Sequence, residues 1–186
     1  SASIPVLCVF DSEEVGSVSP QGAGSSLLED TLGRICDGLK LNRGRMLAQS
    51  FLVSADNAHA VHPNHPEYAD PGNAPVMGGG LVIKYNANLS YCTDSVSAAV
   101  FRKICGRAGV KVQTYHNRAD LPGGSTLGRI SLAHVSVPTV DIGLAQLAMH
   151  SCYETAAVSD AIDLETAMAA YYGSTLEATE SGFSIL

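Results

Sequence analysis

Two kinds of apolar pattern alternate along the chain. Short apolar runs at residues 4–10, 51–54 and 80–85 have the length of buried strands, and residues 111–115 and 137–142 read as further short strands. Between them, apolar positions recur every three or four residues and predict helices. Leu28, Leu32, Ile35 and Leu39 mark one over residues 25–40, and Val96, Val100 and Ile104 a second over 95–107, capped by Asp94 or Ser95. A third is expected over 125–134 behind a glycine turn. Val158, Ala161, Leu164, Met168 and Tyr171 predict a long last helix running from Ser151 or Tyr153 to Tyr172. Glu29 and Asp30 at the start of the first helix and Lys40 at its end suit the helix dipole. Pro63, Pro66, Pro71 and Pro75 keep the polar stretch after residue 54 from being helical. The tail 177–186 shows no period and reads as loosely held.

Alternating strands and helices imply an α/β fold, a mixed or mostly parallel sheet with helices on both faces. In such a sheet ligands gather beyond the carboxyl ends of the strands. On this reading Glu13, Glu14, Asp56 and His150 all lie at such ends.

Composition narrows the function classes. The chain has 186 residues, 46% hydrophobic and 16% charged, enough for one sizeable core rather than a disordered segment. A formal charge of −7, with scattered Lys and Arg, argues against nucleic acid or an anionic membrane as partner. No apolar run approaches the roughly 18 residues of a membrane span. Cys8, Cys36, Cys92, Cys105 and Cys152 form no metal-binding spacing, and their odd number fits a reducing cytoplasm. Cys152, two residues from His150, reads as a small buried thiol rather than a soft ligand.

The candidate chemistry begins at Asp11-Ser12-Glu13-Glu14-Val15-Gly16-Ser17. If this stretch is extended, its two adjacent carboxylates point to opposite sides, so one can hold a metal while the other takes a proton. Asp56 and His150 each follow a strand-like run, and Glu, Asp and His from several strand ends make a hydrolytic metal site. Taken singly these residues are ambiguous. A strand-end Asp also caps turns, Lys84 could be a solvated strand lysine, and Tyr91 a surface aromatic. Pro63 and Pro66 deny His59, His62 and His65 a common helical face. Met77-Gly78-Gly79-Gly80 lacks the Gly-Lys-Ser/Thr of a phosphate loop. The turn from Asp120 to Thr126 could offer backbone N–H groups or be a plain connection, and His116 and His134 suggest no role.

Taken together, the blocks around Glu13-Glu14, Ala55-Asp56-Asn57-Ala58-His59-Ala60-Val61-His62-Pro63-Asn64, Val82-Ile83-Lys84-Tyr85-Asn86 and Leu147-Ala148-Met149-His150-Ser151 stand in one order. In that order the chain resembles the aspartyl aminopeptidase family of dinuclear zinc metallopeptidases. The resemblance runs from about Val6 to Tyr172. It implies two divalent metal ions, zinc with manganese or cobalt as substitutes, held by Glu14, Asp56 and His150, with Glu13 as the base. It also implies that His59, Lys84 and Tyr91 bind a peptide substrate whose N-terminal residue is acidic, and that the working enzyme is a homo-oligomer.

In that family a further histidine and a bridging aspartate precede the segment matched. With no initiator Met before Ser1-Ala2-Ser3, residues 1–186 are therefore expected to be the C-terminal portion of a single catalytic domain. That portion would be inactive until joined by its N-terminal portion. A related metal-dependent amidohydrolase or deacylase, or an inactive fragment serving as an assembly or binding module, is the alternative.

Overall fold

The apolar run at Leu81, Val82 and Ile83 is fully buried and forms the middle of the molecule. The computed structural model describes residues 3–186, leaving Ser1 and Ala2 outside. A 3-10 turn at Glu13–Val15 precedes α1 (Leu27–Leu39), α2 (Arg43–Ala48), β1 (Leu52–Ala55) and β2 (Ala58–His59). A second 3-10 turn at Pro66–Tyr68 leads to β3 (Leu81–Tyr85), α3 (Ser95–Ala108), β4 (Val112–His116), α4 (Leu127–Leu132) and β5 (Thr139–Gly143). Then come β6 (Ala145–Leu147), β7 (Thr155–Ala156), α5 (Val158–Gly173), β8 (Leu176–Thr179) and β9 (Gly182–Ile185).

The main sheet has the order β1-β5-β3-β4 and is mixed. β1 runs parallel to β5 and β3 parallel to β4, while β3 and β5 are antiparallel, with Ile83 opposite Ile142. Because side chains alternate along a strand, the sheet has two different faces. Leu81, Ile83, Val140 and Ile142 pack on Phe101 and Cys105 of α3 and Ala167 of α5. The opposite face carries Val82, packed with Tyr91, Tyr115, Ala58 and Ala145, together with Lys84 and Asp141, both buried. On that side α4 passes so close that a Cβ added at Gly128 would meet the Asp141 and Ser54 side chains at 2.7 Å. Helices thus cover both faces, as the alternating pattern implies.

Local chemistry sets several boundaries. Asp94 accepts the Ser97 N–H while the Ser97 hydroxyl accepts the Asp94 N–H, a complete capping box for α3. Buried Asp160, in the first turn of α5, accepts the N–H groups of Gly78 and Gly80 at 2.8 and 3.1 Å. The glycine run is therefore clamped by a carboxylate.

Four expectations are corrected. Residues 4–10 are not a strand: no ladder is assigned to them among the described residues. Cys8 and Phe10 pack beside Leu28, Val135 and Val137, but Leu7 and Val9 are 76% and 80% exposed, so an apolar run here did not mean burial on both sides. Glu13 and Glu14 lie in a 3-10 turn rather than an extended chain, between Ser12 at φ 66° and Gly16 at φ 92°. The last helix begins at Val158, because residues before it return as β7 to pair with β6. The tail is held: β8 and β9 form a hairpin whose Ile185 and Phe183 pack with Val100, Ile104 and Phe51. Among the described residues no helix is long and apolar enough to cross a membrane.

Candidate functional site

The carboxyl end of β1 lies beside β5, and short β2, which follows it, pairs in parallel with β6, placing His59 opposite Gln146. Asp56 follows β1 directly, and its N–H donates to the Ile142 carbonyl at 2.9 Å. Next to it Asn57 works in three directions. Its Oδ1 accepts the Leu144 N–H at 3.0 Å, its amide bonds to Gln146, and its carbonyl accepts the Lys84 ammonium at 2.9 Å. Gly143 permits this approach, since a Cβ there would land on the Asp56 carbonyl oxygen.

His150 stands on the loop that joins β6 to β7. Both it and Ala148 are non-glycine residues in the left-handed region, at φ 65° and 56°, a conformation that costs roughly 1–2 kcal/mol per residue and needs outside support. The Glu154 carboxylate supplies some, accepting the His150 N–H at 2.7 Å. The imidazole Nδ1 lies 2.9 Å from the Glu14 carboxylate, across 136 residues of sequence.

One cavity of about 220 Å³ collects these groups: Glu13, Glu14, Asp56, Asn57, Gln146, Met149, His150 and Glu154 line it. Four of the seven residues expected from sequence are therefore together. Lys84, Tyr91 and His59 stand beside the cavity rather than on its wall. Lys84 is 2% exposed, with its ammonium 3.7 Å from Asp56 and 5.1 Å from the centre of the Tyr91 ring. Tyr91 is buried too, and its hydroxyl donates to Asn117 at 3.2 Å, so neither is a solvated surface residue. His59 is exposed.

The electrostatics separate these groups. Partial loss of water raises the Glu13 pKa, and the nearby Asp56 charge raises it further. The hydrogen bond to Glu14 raises that of His150. Burial lowers Lys84, against the pull of Asp56, and partial desolvation lowers His59, helped by the Lys84 charge. A carboxyl held toward protonation beside one that is hydrogen-bonded to imidazole is the division of labour that acid–base chemistry uses.

Glu14, His150 and Glu154 each offer one donor atom, and these atoms all lie within 4.8 Å of one another. Zinc takes imidazole nitrogen and carboxylate oxygen donors, so the chemistry of this set suits zinc. Asp56 is outside this group and faces Lys84 instead. Cys152 is exposed, not buried, and is no part of it.

Sequence reasoning gave no role to Asn57, Gln146, Met149 or Glu154. The signal for Glu154 was its place four residues after His150, hidden by the assumption that a helix began at residue 151 or 153. A larger cavity, about 450 Å³, opens between the loops leaving β3 and β4, with stacked Tyr85 and His116 among its lining. None of the seven expected residues lines it.

Comparison with known proteins supplies the rest. A family model described as aminopeptidase I zinc metalloprotease (M18) matches residues 1–172. A probable M18 family aminopeptidase 2 of Mycobacterium tuberculosis is 45% identical over 179 residues, covering 95% of this chain and 41% of that protein. A probable aspartyl aminopeptidase of Ricinus communis is 45% identical over 163 residues, covering 86% and 33%. The S. cerevisiae mApe1 dodecamer superimposes with a TM-score of 0.76 at 28% identity, over 88% of this chain and 36% of that one. The chain thus spans about two fifths of the length of the mycobacterial relative.

Proposed function

The chain belongs to the aminopeptidase I zinc metalloprotease (M18) family, and from that membership we propose that it carries the catalytic carboxylates of a metal-dependent aminopeptidase. The observation that carries the proposal is the single cavity into which Glu13, Glu14, Asp56 and His150 converge from three distant segments. Glu14 and His150 would hold one zinc and Asp56 a second. A bound zinc supplies Lewis acidity toward the scissile carbonyl and brings the pKa of water down toward neutrality.

The protein's own groups do the remainder. Glu13, whose pKa is raised toward the working range, takes a proton from the attacking water and returns it to the leaving amine. Its neighbour's carboxylate is already engaged by His150, which leaves Glu13 free for that exchange. Lys84, with its ammonium 3.7 Å from Asp56, would pair with an acidic side chain at the substrate's N-terminus, with Tyr91 and His59 as further substrate contacts. The aspartyl aminopeptidase name of the plant relative supports this acidic preference. The dodecamer of the yeast structure supports assembly into a homo-oligomer.

The test separates base from ligands in the active enzyme. Glu13→Gln is expected to keep its zinc and lose about 10²- to 10⁴-fold in turnover, whereas Glu14→Gln and His150→Ala lose zinc as well. A Glu13→Gln protein emptied of metal would reverse the two glutamates. For specificity, kcat/KM is compared on Asp-, Glu- and Leu-anilides. Lys84→Met is expected to lower the acidic substrates about tenfold or more, and a wild-type preference for Leu would remove the acidic pocket.

A further inference from the structure

We propose that Glu154 is a positioning residue of this site, holding His150 in the left-handed backbone conformation in which its imidazole meets Glu14. The inference rests on the reading of His150 as a metal ligand and adds a residue to it.

Three observations converge. The loop between β6 and β7 starts and ends on the paired residues Leu147 and Thr155, so His150 sits near its middle and Glu154 at its returning foot. Within it, Ala148 and His150 both take positive φ without being glycine. The Ser151 N–H to Ala148 carbonyl bond, at 3.0 Å, closes only the turn itself. The contact that ties His150 to the foot of the loop is its N–H donated to Glu154 Oε1 at 2.7 Å. Finally, the Glu154 carboxylate lies with the Glu14 and His150 donor atoms inside one 4.8 Å group. It therefore stands beside the two proposed ligands, and all three residues are exposed.

Two consequences follow. A side chain that accepts from His150 N–H fixes the direction of the Cα–Cβ bond and with it the reach of the imidazole. An amide oxygen can accept that bond as a carboxylate does, so the role survives Glu154→Gln and fails in Glu154→Ala. Loss of an outer partner that orients a metal ligand commonly changes metal affinity 10- to 100-fold.

Zinc affinity is measured by calorimetric titration with zinc chloride on the 186-residue chain and on Glu154→Ala, Glu154→Gln and His150→Ala, with thermal melts to show that each variant is folded. The metal-free His150 amide resonance is followed in parallel. Glu154→Ala is expected to weaken zinc about 10- to 100-fold and to move that resonance, and Glu154→Gln to lie closer to the wild type on both. Unchanged affinity in Glu154→Ala alongside a loss in His150→Ala overturns the role of Glu154 and leaves the site intact. A Glu154→Gln protein as weak as Glu154→Ala overturns it too, because charge rather than orientation would then be at work. If His150→Ala binds zinc as the wild type does, both the site and this inference fall.

Discussion

Gly143 decides whether Asp56 can stand where it does. A Cβ at residue 143 would land on the Asp56 carbonyl oxygen and 2.6 Å from the Asn57 Cα, and both of those are backbone atoms that cannot swing away. Gly143→Ala must therefore part β1 from β5, at about 1–3 kcal/mol or more, with a lower Tm and a displaced Asp56. Gly33 is the matched control. It lies inside α1 with nothing within 4 Å of an added Cβ, so Gly33→Ala is expected to raise stability by about 0.8–1 kcal/mol through helix propensity alone. Thermal or urea unfolding of the two variants checks the opposite signs, and equal effects would show that the close approach at residue 143 carries no energy.

At the scale of elements, α5 is tied to the start of β1 by the Tyr171 hydroxyl, which donates to the Phe51 carbonyl at 2.6 Å. Burial pushes the Tyr171 phenol up to about 12, above the ordinary value near 10. The stability that rests on the buried phenol staying neutral is thus fully present below about pH 10 and lost as pH rises through the folded-state value. Tyr171→Phe is expected to cost about 1 kcal/mol at neutral pH and to lose less stability than the wild type above about pH 10. Urea midpoints across that range test it. The main strands and α1, α3 and α5 were legible because each announces itself by period: Leu81 to Ile83 as a run, Val96, Val100 and Ile104 as a helical face. What escaped was structure made by pairing rather than by pattern. β6 and β7 have three and two residues, too short for any period, and β8 and β9 exist because they bond to each other. That is also why Glu13, Glu14, Asp56 and His150 could be named as candidates while Glu154, placed by the β6–β7 return, could not.

For the molecule as a whole, the described residues bring three donor atoms within 4.8 Å of one another, whereas a closed zinc site uses four, and Asp56 is engaged with Lys84. The 186-residue chain by itself is expected to retain less than one zinc through desalting and to turn over an aminoacyl anilide at background rate; two tightly held zincs with robust turnover would refute this. Residues 4–10 bear on how the same chain behaves in a test tube. Leu7 and Val9 are turned to solvent, and among the described residues no strand pairs with this stretch. Apolar side chains left exposed on an unpaired stretch favour association with a like stretch of another copy. The sedimentation coefficient of the chain should climb with concentration, and a lysine in place of Val9 should flatten that climb without lowering the Tm, making this short stretch a determinant of shelf life and not of fold.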